Sequence, residues 1–197
     1  MWNWSITPFV SVLALTIGMS GATVRADETK VPVTFSGGHE IGPKDYGRPV
    51  VLIAAALEVK PEVFREAFSG VTPARRDGGP SQEEARRNKD ALMKVLKPHG
   101  VTNERLDEVS NYYRYQPEKG ELWKTTPAQA HAIVEDGKIK RIVVTEPGSG
   151  YSTPPIAVVQ GLEKIPLKVM IQLDKDMKKN GAVGSIEVAA TASSKDR

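Results

Sequence analysis

The apolar positions of this chain recur with two periods, and the change from one to the other falls near Pro117. Between Asp45 and Tyr115 the spacing is helical. An apolar run from Val50 to Leu57 follows Pro49, a residue tolerated in the first turn of a helix. Pro61 opens a second helix over Glu62–Phe68, closed by Gly70. After a polar loop from Thr72 to Pro80, Ser81 and Glu84 have the spacing of a capping box, in which each side chain satisfies the other residue's backbone N–H. Ala85, Leu92, Val95 and Leu96 then share one stripe of a third helix, which Pro98 and Gly100 end. Thr102 caps a fourth, carrying Leu106, Val109 and Tyr113. Short helices with short connections predict a compact helical domain over 45–116.

Beyond Pro117 the period becomes two. Ala128, Ala130, Ala132 and Val134 alternate up to Asp136–Gly137, a dipeptide that accepts the positive φ of a tight hairpin turn. Ile142 and Val144 continue one face of the outgoing strand. A second hairpin is expected from Val169, Ile171 and Leu173, with a turn at Asn180–Gly181 leading into Ile186 and Val188. The two turns lie 44 positions apart, and Ile139, Ile142 and Val144 align with Val183, Ile186 and Val188. The three-residue step after the first apolar position breaks strict alternation. A β-bulge just after each turn would return both side chains to one face. The expected fold is therefore α+β: a small helical domain of about four helices followed by a β-hairpin-rich module over 117–192 with two degenerate hairpin repeats. An extended segment over 27–44 precedes them and a disordered tail over 193–197 follows.

The start of the chain has a different character. Ile6 to Met19 is an almost unbroken apolar run of about 14 residues, the length of a signal-peptide core and short for a bilayer span. Val24–Arg25–Ala26 offers small or apolar residues at the two positions a signal peptidase reads. Residues 1–26 are thus expected to be a signal peptide, and the protein secreted or periplasmic. An uncleaved N-terminal anchor is the other reading, since no Lys or Arg precedes the apolar core.

Charge and composition narrow the function classes. A formal net charge of +3 is too small for a nucleic-acid footprint, which needs a concentrated basic face. The chain has no cysteine, so disulfides, a thiol nucleophile and cysteine-held metals are excluded. No cofactor motif is present, and no segment after the leader is apolar enough to predict a membrane span.

The stretch Gly137-x-Ile139-x-x-Ile142-x-Val144-Thr145-x-Pro147-Gly148-Ser149-Gly150-Tyr151-Ser152-x-Pro154-Pro155 resembles the GSGY β-repeats of bacterial extracellular and phage tail or surface proteins. That resemblance implies a structural or adhesive building unit. The helical half, through Phe35–Glu40 and Asp107–Tyr115, resembles an uncharacterised family of exported bacterial proteins, and this carries no activity with it.

Candidate sites follow from residue type. Gly148, Gly150, Tyr151 and Pro154 read as a corner in which Tyr151 packs across the glycines, with Asp136, Gly137, Asn180 and Gly181 as turn residues. Flanking glycines around Ser149 could also offer backbone N–H groups to an anion. His39 and Glu40 are the local candidates for metal or acid–base chemistry, although adjacent residues of an extended chain point to opposite sides. A solvated loop is the expected setting for them. Tyr112, Tyr113, Arg114 and Tyr115, with Trp123, combine aromatic area and a guanidinium, as recognition surfaces and domain interfaces both do. The expected function is that of an exported non-catalytic structural or interaction protein with a protein or cell-surface partner. The alternative is a small hydrolase or metal-dependent enzyme with a site around His39, between the halves.

Overall fold

The structure, a computed structural model, describes residues 28–72 and 80–189. The expected signal peptide, most of the loop from Thr72 to Pro80, and the tail lie outside these residues. Among the described residues there are four α-helices and six strands in two sheets, an α+β fold with the helices N-terminal to most of the strands.

The helical half is built around α1 (Val50–Ala56), where Val50, Leu52, Ile53, Ala54 and Ala56 are all buried. A helix apolar on nearly every side belongs in the middle of a core. The second helix, α2 (Pro61–Ser69), turns Phe64 and Ala67 inward and starts with Pro61 at its first positions. Between α1 and α2, Glu58 adopts φ of +57°, a left-handed backbone where glycine would be less strained. The third helix, α3 (Gln82–Leu96), has the full capping box: Ser81 Oγ accepts from the Glu84 N–H and Glu84 accepts from the Ser81 N–H. It covers one side of the core, burying Leu96 fully and packing Leu92, Met93 and Val95 against it. Thr102 Oγ1 accepts from the Arg105 N–H at the start of α4 (Asn103–Tyr112), which buries Leu106 and Val109. Each fully buried leucine contributes roughly 1.5–3 kcal/mol, so Leu52, Leu96 and Leu106 anchor this core.

The β half has two antiparallel sheets. The first has the order β3 (Lys138–Glu146), β2 (Gln129–Glu135), β1 (Thr29–Ser36), β4 (Ile156–Val159); the second pairs β5 (Leu167–Gln172) with β6 (Ala182–Val188). Of the segment expected to be extended, Thr29–Ser36 forms a strand, and it takes an inner place in the sheet: Val33 pairs with Ala130 on one side and with Val159 on the other. At the sheets' margins β6 lies against β3 and β5 against β4, which closes the two sheets around Val33, Ala132, Ala157, Val159, Val169, Val183 and Ile186.

Both hairpins contain the bulge implied by the three-residue step. In the first, Ile133 pairs with Arg141 and Val134 with Ile139, leaving Lys140 extra. In the second, Met170 pairs with Ser185 and Ile171 with Val183, leaving Gly184 extra, 44 positions on. Ile139, Ile142 and Val144 therefore face one interior, as do Val183 and Ile186. The copies diverge at their ends, where Val188 is half exposed and Leu173 lies beyond the strand.

A polar knot joins the halves. Asn180 is fully buried; its Nδ2 donates to the Leu52 carbonyl of α1 at 2.7 Å and to Tyr113 Oη at 2.9 Å, and its Oδ1 accepts from the Asp174 N–H at 3.1 Å. Gly181, at φ of +69°, leaves no room for a side chain: a Cβ would sit 2.4 Å from the Tyr151 carbonyl oxygen and 2.8 Å from Leu52 Cδ2. On the outer face of α4, Arg105 Nε and Nη2 donate to the Ala56 carbonyl.

Candidate functional site

The Gly-Ser-Gly-Tyr corner is filled by the protein's own backbone. Ser149 and Thr126 exchange two backbone hydrogen bonds, the Gly150 N–H donates to the Asn180 carbonyl and the Tyr151 N–H to the Gly181 carbonyl. Tyr151 is buried across this corner and its hydroxyl accepts from the Ala128 N–H at 3.0 Å. The Ser149, Gly150 and Tyr151 N–H groups thus bind carbonyls. Pro154 is exposed just before β4, and Asp136 and Gly137 form the tight turn at φ of +51° and +71°.

His39 lies on the loop after β1, partly buried rather than solvated. Its ring stacks on Tyr151 at 5.1 Å between centroids and meets the Trp123 ring edge-on at 5.9 Å. Burial holds the imidazole below its ordinary pKa, against smaller opposing effects of Glu40 and the Gly37 backbone, which favours the neutral ring. Its Nε2 is buried without a hydrogen-bond partner among the described residues. It borders a cavity of about 230 Å³ where Ser36, Thr125 and Thr126 also lie, and no hydroxyl there donates to it. Glu40 points away: its carboxylate accepts from the Gly38 N–H and from Thr153 Oγ1, and chiefly the Thr153 bond holds it below the usual carboxylate range. Among the described residues no three His, Asp or Glu side chains come together as a metal site would need. The physical reason for His39's burial is the return of the chain at Gly150–Tyr151, over a hundred residues later, which local sequence does not show.

The aromatic stretch divides between the interior and the rim. Tyr113 and Trp123 are buried; Trp123 Nε1 donates to the Gly150 carbonyl at 2.8 Å, and burial pushes the Tyr113 hydroxyl well above the usual phenol pKa. Tyr112 packs edge-on against Tyr113 at 5.0 Å and carries the Lys124 ammonium 5.3 Å above its ring. Tyr115 meets Trp123 edge-on at 5.4 Å and donates from its hydroxyl to the Gly47 carbonyl, while Arg114 is exposed. The stretch therefore joins the two halves through Tyr113 and Trp123 and reaches the Gly47 carbonyl, next to Arg48, through Tyr115.

That outer pocket involves residues that sequence patterns do not single out. Tyr46, Arg48, Phe68, Ser69 and Val71 bound a space of about 320 Å³. Arg48 is half-buried, its guanidinium carbon 5.4 Å from the Phe68 ring centroid. Among the described residues no carboxylate pairs with it. The nearby Asp45 is buried and engaged with Arg65 through Nε–Oδ1 at 2.7 Å and Nη2–Oδ2 at 3.4 Å. Tyr46 is 77 % exposed, at φ of +47°. A single arginine ahead of a helix carries no local signal, and its setting depends on α2 and the end of α4. Family models, curated proteins and solved structures alike give no match to this chain.

Proposed function

We propose that this is an exported, non-catalytic interaction protein of the bacterial envelope or extracellular space, in which the helical half and the β half act as one rigid body. One observation carries the reading: the side chains with the best chemical credentials are engaged in holding the joint. His39 is clasped by Tyr151 and Trp123, and Glu40 is bound to Gly38 and Thr153. The resemblance to GSGY repeats and the signal-like leader support the same reading. No helix among the described residues is long and apolar enough to cross a membrane.

The test compares the purified protein with a His39→Phe variant on chromogenic esters, peptides and glycosides, with and without Zn²⁺ or Mg²⁺. Neither should turn over any substrate above buffer, and the mature protein isolated from its host should begin at Asp27 in an envelope or secreted fraction. Turnover that His39→Phe abolishes, with the unfolding midpoint preserved, would establish the hydrolase reading instead.

A further inference from the structure

The Arg48 guanidinium is half withdrawn from water, and no anion among the described residues meets it. One face lies over Phe68, and none of its N–H groups donates to an acceptor among the described residues. Burial holds its pKa below the ordinary arginine value; the charged or ionisable groups acting on it are Tyr115 and a second cation, Arg114. Taking a cation from water without a partner is unfavourable, and proteins usually resolve this with a carboxylate close by. Here the candidate, Asp45, is committed to Arg65 by a forked pair. The loop that presents Arg48 is held on both sides, by Asp45–Arg65 and by the Tyr115 hydroxyl on the Gly47 carbonyl. Tyr46 stands out from it in a left-handed conformation that a non-glycine residue adopts only under constraint.

We propose that the pocket bounded by Tyr46, Arg48, Phe68, Ser69 and Val71 binds a small organic carboxylate, with its acid group on the Arg48 guanidinium and an apolar body against Phe68 and Val71. The planar fork of arginine matches the two oxygens of a carboxylate. A volume of about 320 Å³ falls at the small end of ligand pockets, and a mainly apolar wall with one oriented charge selects an acid that carries a hydrocarbon group. Inorganic phosphate would find one fork and few other donors. The proposal rests on the non-catalytic reading of the protein but is judged apart from it: turnover would sink that reading, whereas failure to bind acids sinks only this one.

The experiment is isothermal titration of the purified protein with benzoate, octanoate and N-acetylphenylalanine, using N-acetylphenylalaninamide as the neutral twin. At least one acid should bind saturably, and the amide at least tenfold more weakly than its acid. Arg48→Gln should lower the acid's affinity at least tenfold while leaving the urea midpoint unchanged or raised, because it removes a half-buried cation that no carboxylate among the described residues pairs with. Arg48→Lys should fall between, keeping the charge and losing the fork. Tyr46→Gly, which removes an exposed wall and suits the positive φ, gives a second lesion and should weaken binding severalfold. Equal binding of acid and amide, unaltered binding by Arg48→Gln, or no binding of any of the three acids would overturn the proposal. A short peptide ending in a free phenylalanine that binds tenfold more tightly than every free acid would also overturn it, by giving the pocket to the carboxyl ends of polypeptides.

Discussion

Replacing Asn180 with alanine tests whether the helical and β halves are one cooperative unit. The side chain is fully buried and makes three hydrogen bonds, two as donor to Leu52 and Tyr113 of the helical half and one as acceptor from Asp174. Truncation leaves the Tyr113 hydroxyl without its donor and the Leu52 carbonyl with one fewer, both away from water, while the partly buried Asp174 N–H is better able to hydrate. Each buried group left unsatisfied costs about 1–3 kcal/mol, and the small void adds to this. We expect a total loss of about 3–5 kcal/mol, a large share of the 5–15 kcal/mol typical of a domain. For a protein of this size that corresponds to a fall in Tm of roughly 6–20 °C. Asn180→Asp should be at least as damaging, since a carboxylate would turn an acceptor oxygen toward the Leu52 carbonyl. The assay is urea unfolding of residues 27–197, in which Trp123 is the one tryptophan, followed by fluorescence and by far-UV circular dichroism. The two probes should report one transition at a lowered midpoint. A loss under about 1 kcal/mol, within what one ordinary hydrogen bond contributes, would refute the reasoning. So would separate transitions for the two probes in the wild-type protein.

Two further outcomes follow from the joint. His39 has a folded-state pKa below its unfolded value of about 6.5, so as pH falls through 6.5 the unfolded protein takes up a proton that the folded one refuses. Its contribution is intact above that pH and is lost on acidification down to the folded pKa. His39→Phe should therefore flatten the dependence of the urea midpoint between pH 7.5 and 5, and an unchanged slope would show that His39 is not the group responsible. Glycines at similar positive φ should also differ sharply. Gly181→Ala meets the Tyr151 carbonyl at 2.4 Å, whereas Gly137→Ala meets nothing within 4 Å. The first should cost more than about 3 kcal/mol or prevent folding, the second about 1 kcal/mol of turn strain, as thermal melts of the two variants would show.

Features set by a few neighbouring residues are legible in the sequence. Ser81 with Glu84, Thr102, Pro61 and Asp136–Gly137 act within one turn, and the structure has each in its expected role. Even the bulges can be read, because side-chain alternation in a strand is rigid enough that the step from Ile139 to Ile142 demands an extra residue. What stays hidden depends on distant segments. The inner place of β1 requires partners from 130–134 and 156–159, and Val31, Val33 and Phe35 look the same on an edge strand as on an inner one. Local sequence puts His39 in a solvated loop because Tyr151 and Trp123 reach it only through the fold. The aromatic stretch Tyr112–Tyr115 is visible as a group, but not the division that buries Tyr113 and leaves Tyr115 beside the Arg48 pocket.

That division links the joint to the proposed ligand site. Trp123 is fixed by its bond to the Gly150 carbonyl and meets Tyr115 edge-on, and Tyr115 in turn holds the Gly47 carbonyl beside Arg48. The loop bearing Arg48 is thus braced from the β half through two aromatic rings and from α2 through Asp45–Arg65. A free, solvated arginine would lose much side-chain entropy on meeting a ligand; one already seated over Phe68 has lost part of it during folding. The Gly-Ser-Gly-Tyr corner then has a role at a distance. Its backbone groups bond within the protein, and it fixes the tryptophan against which the loop presenting Arg48 is set.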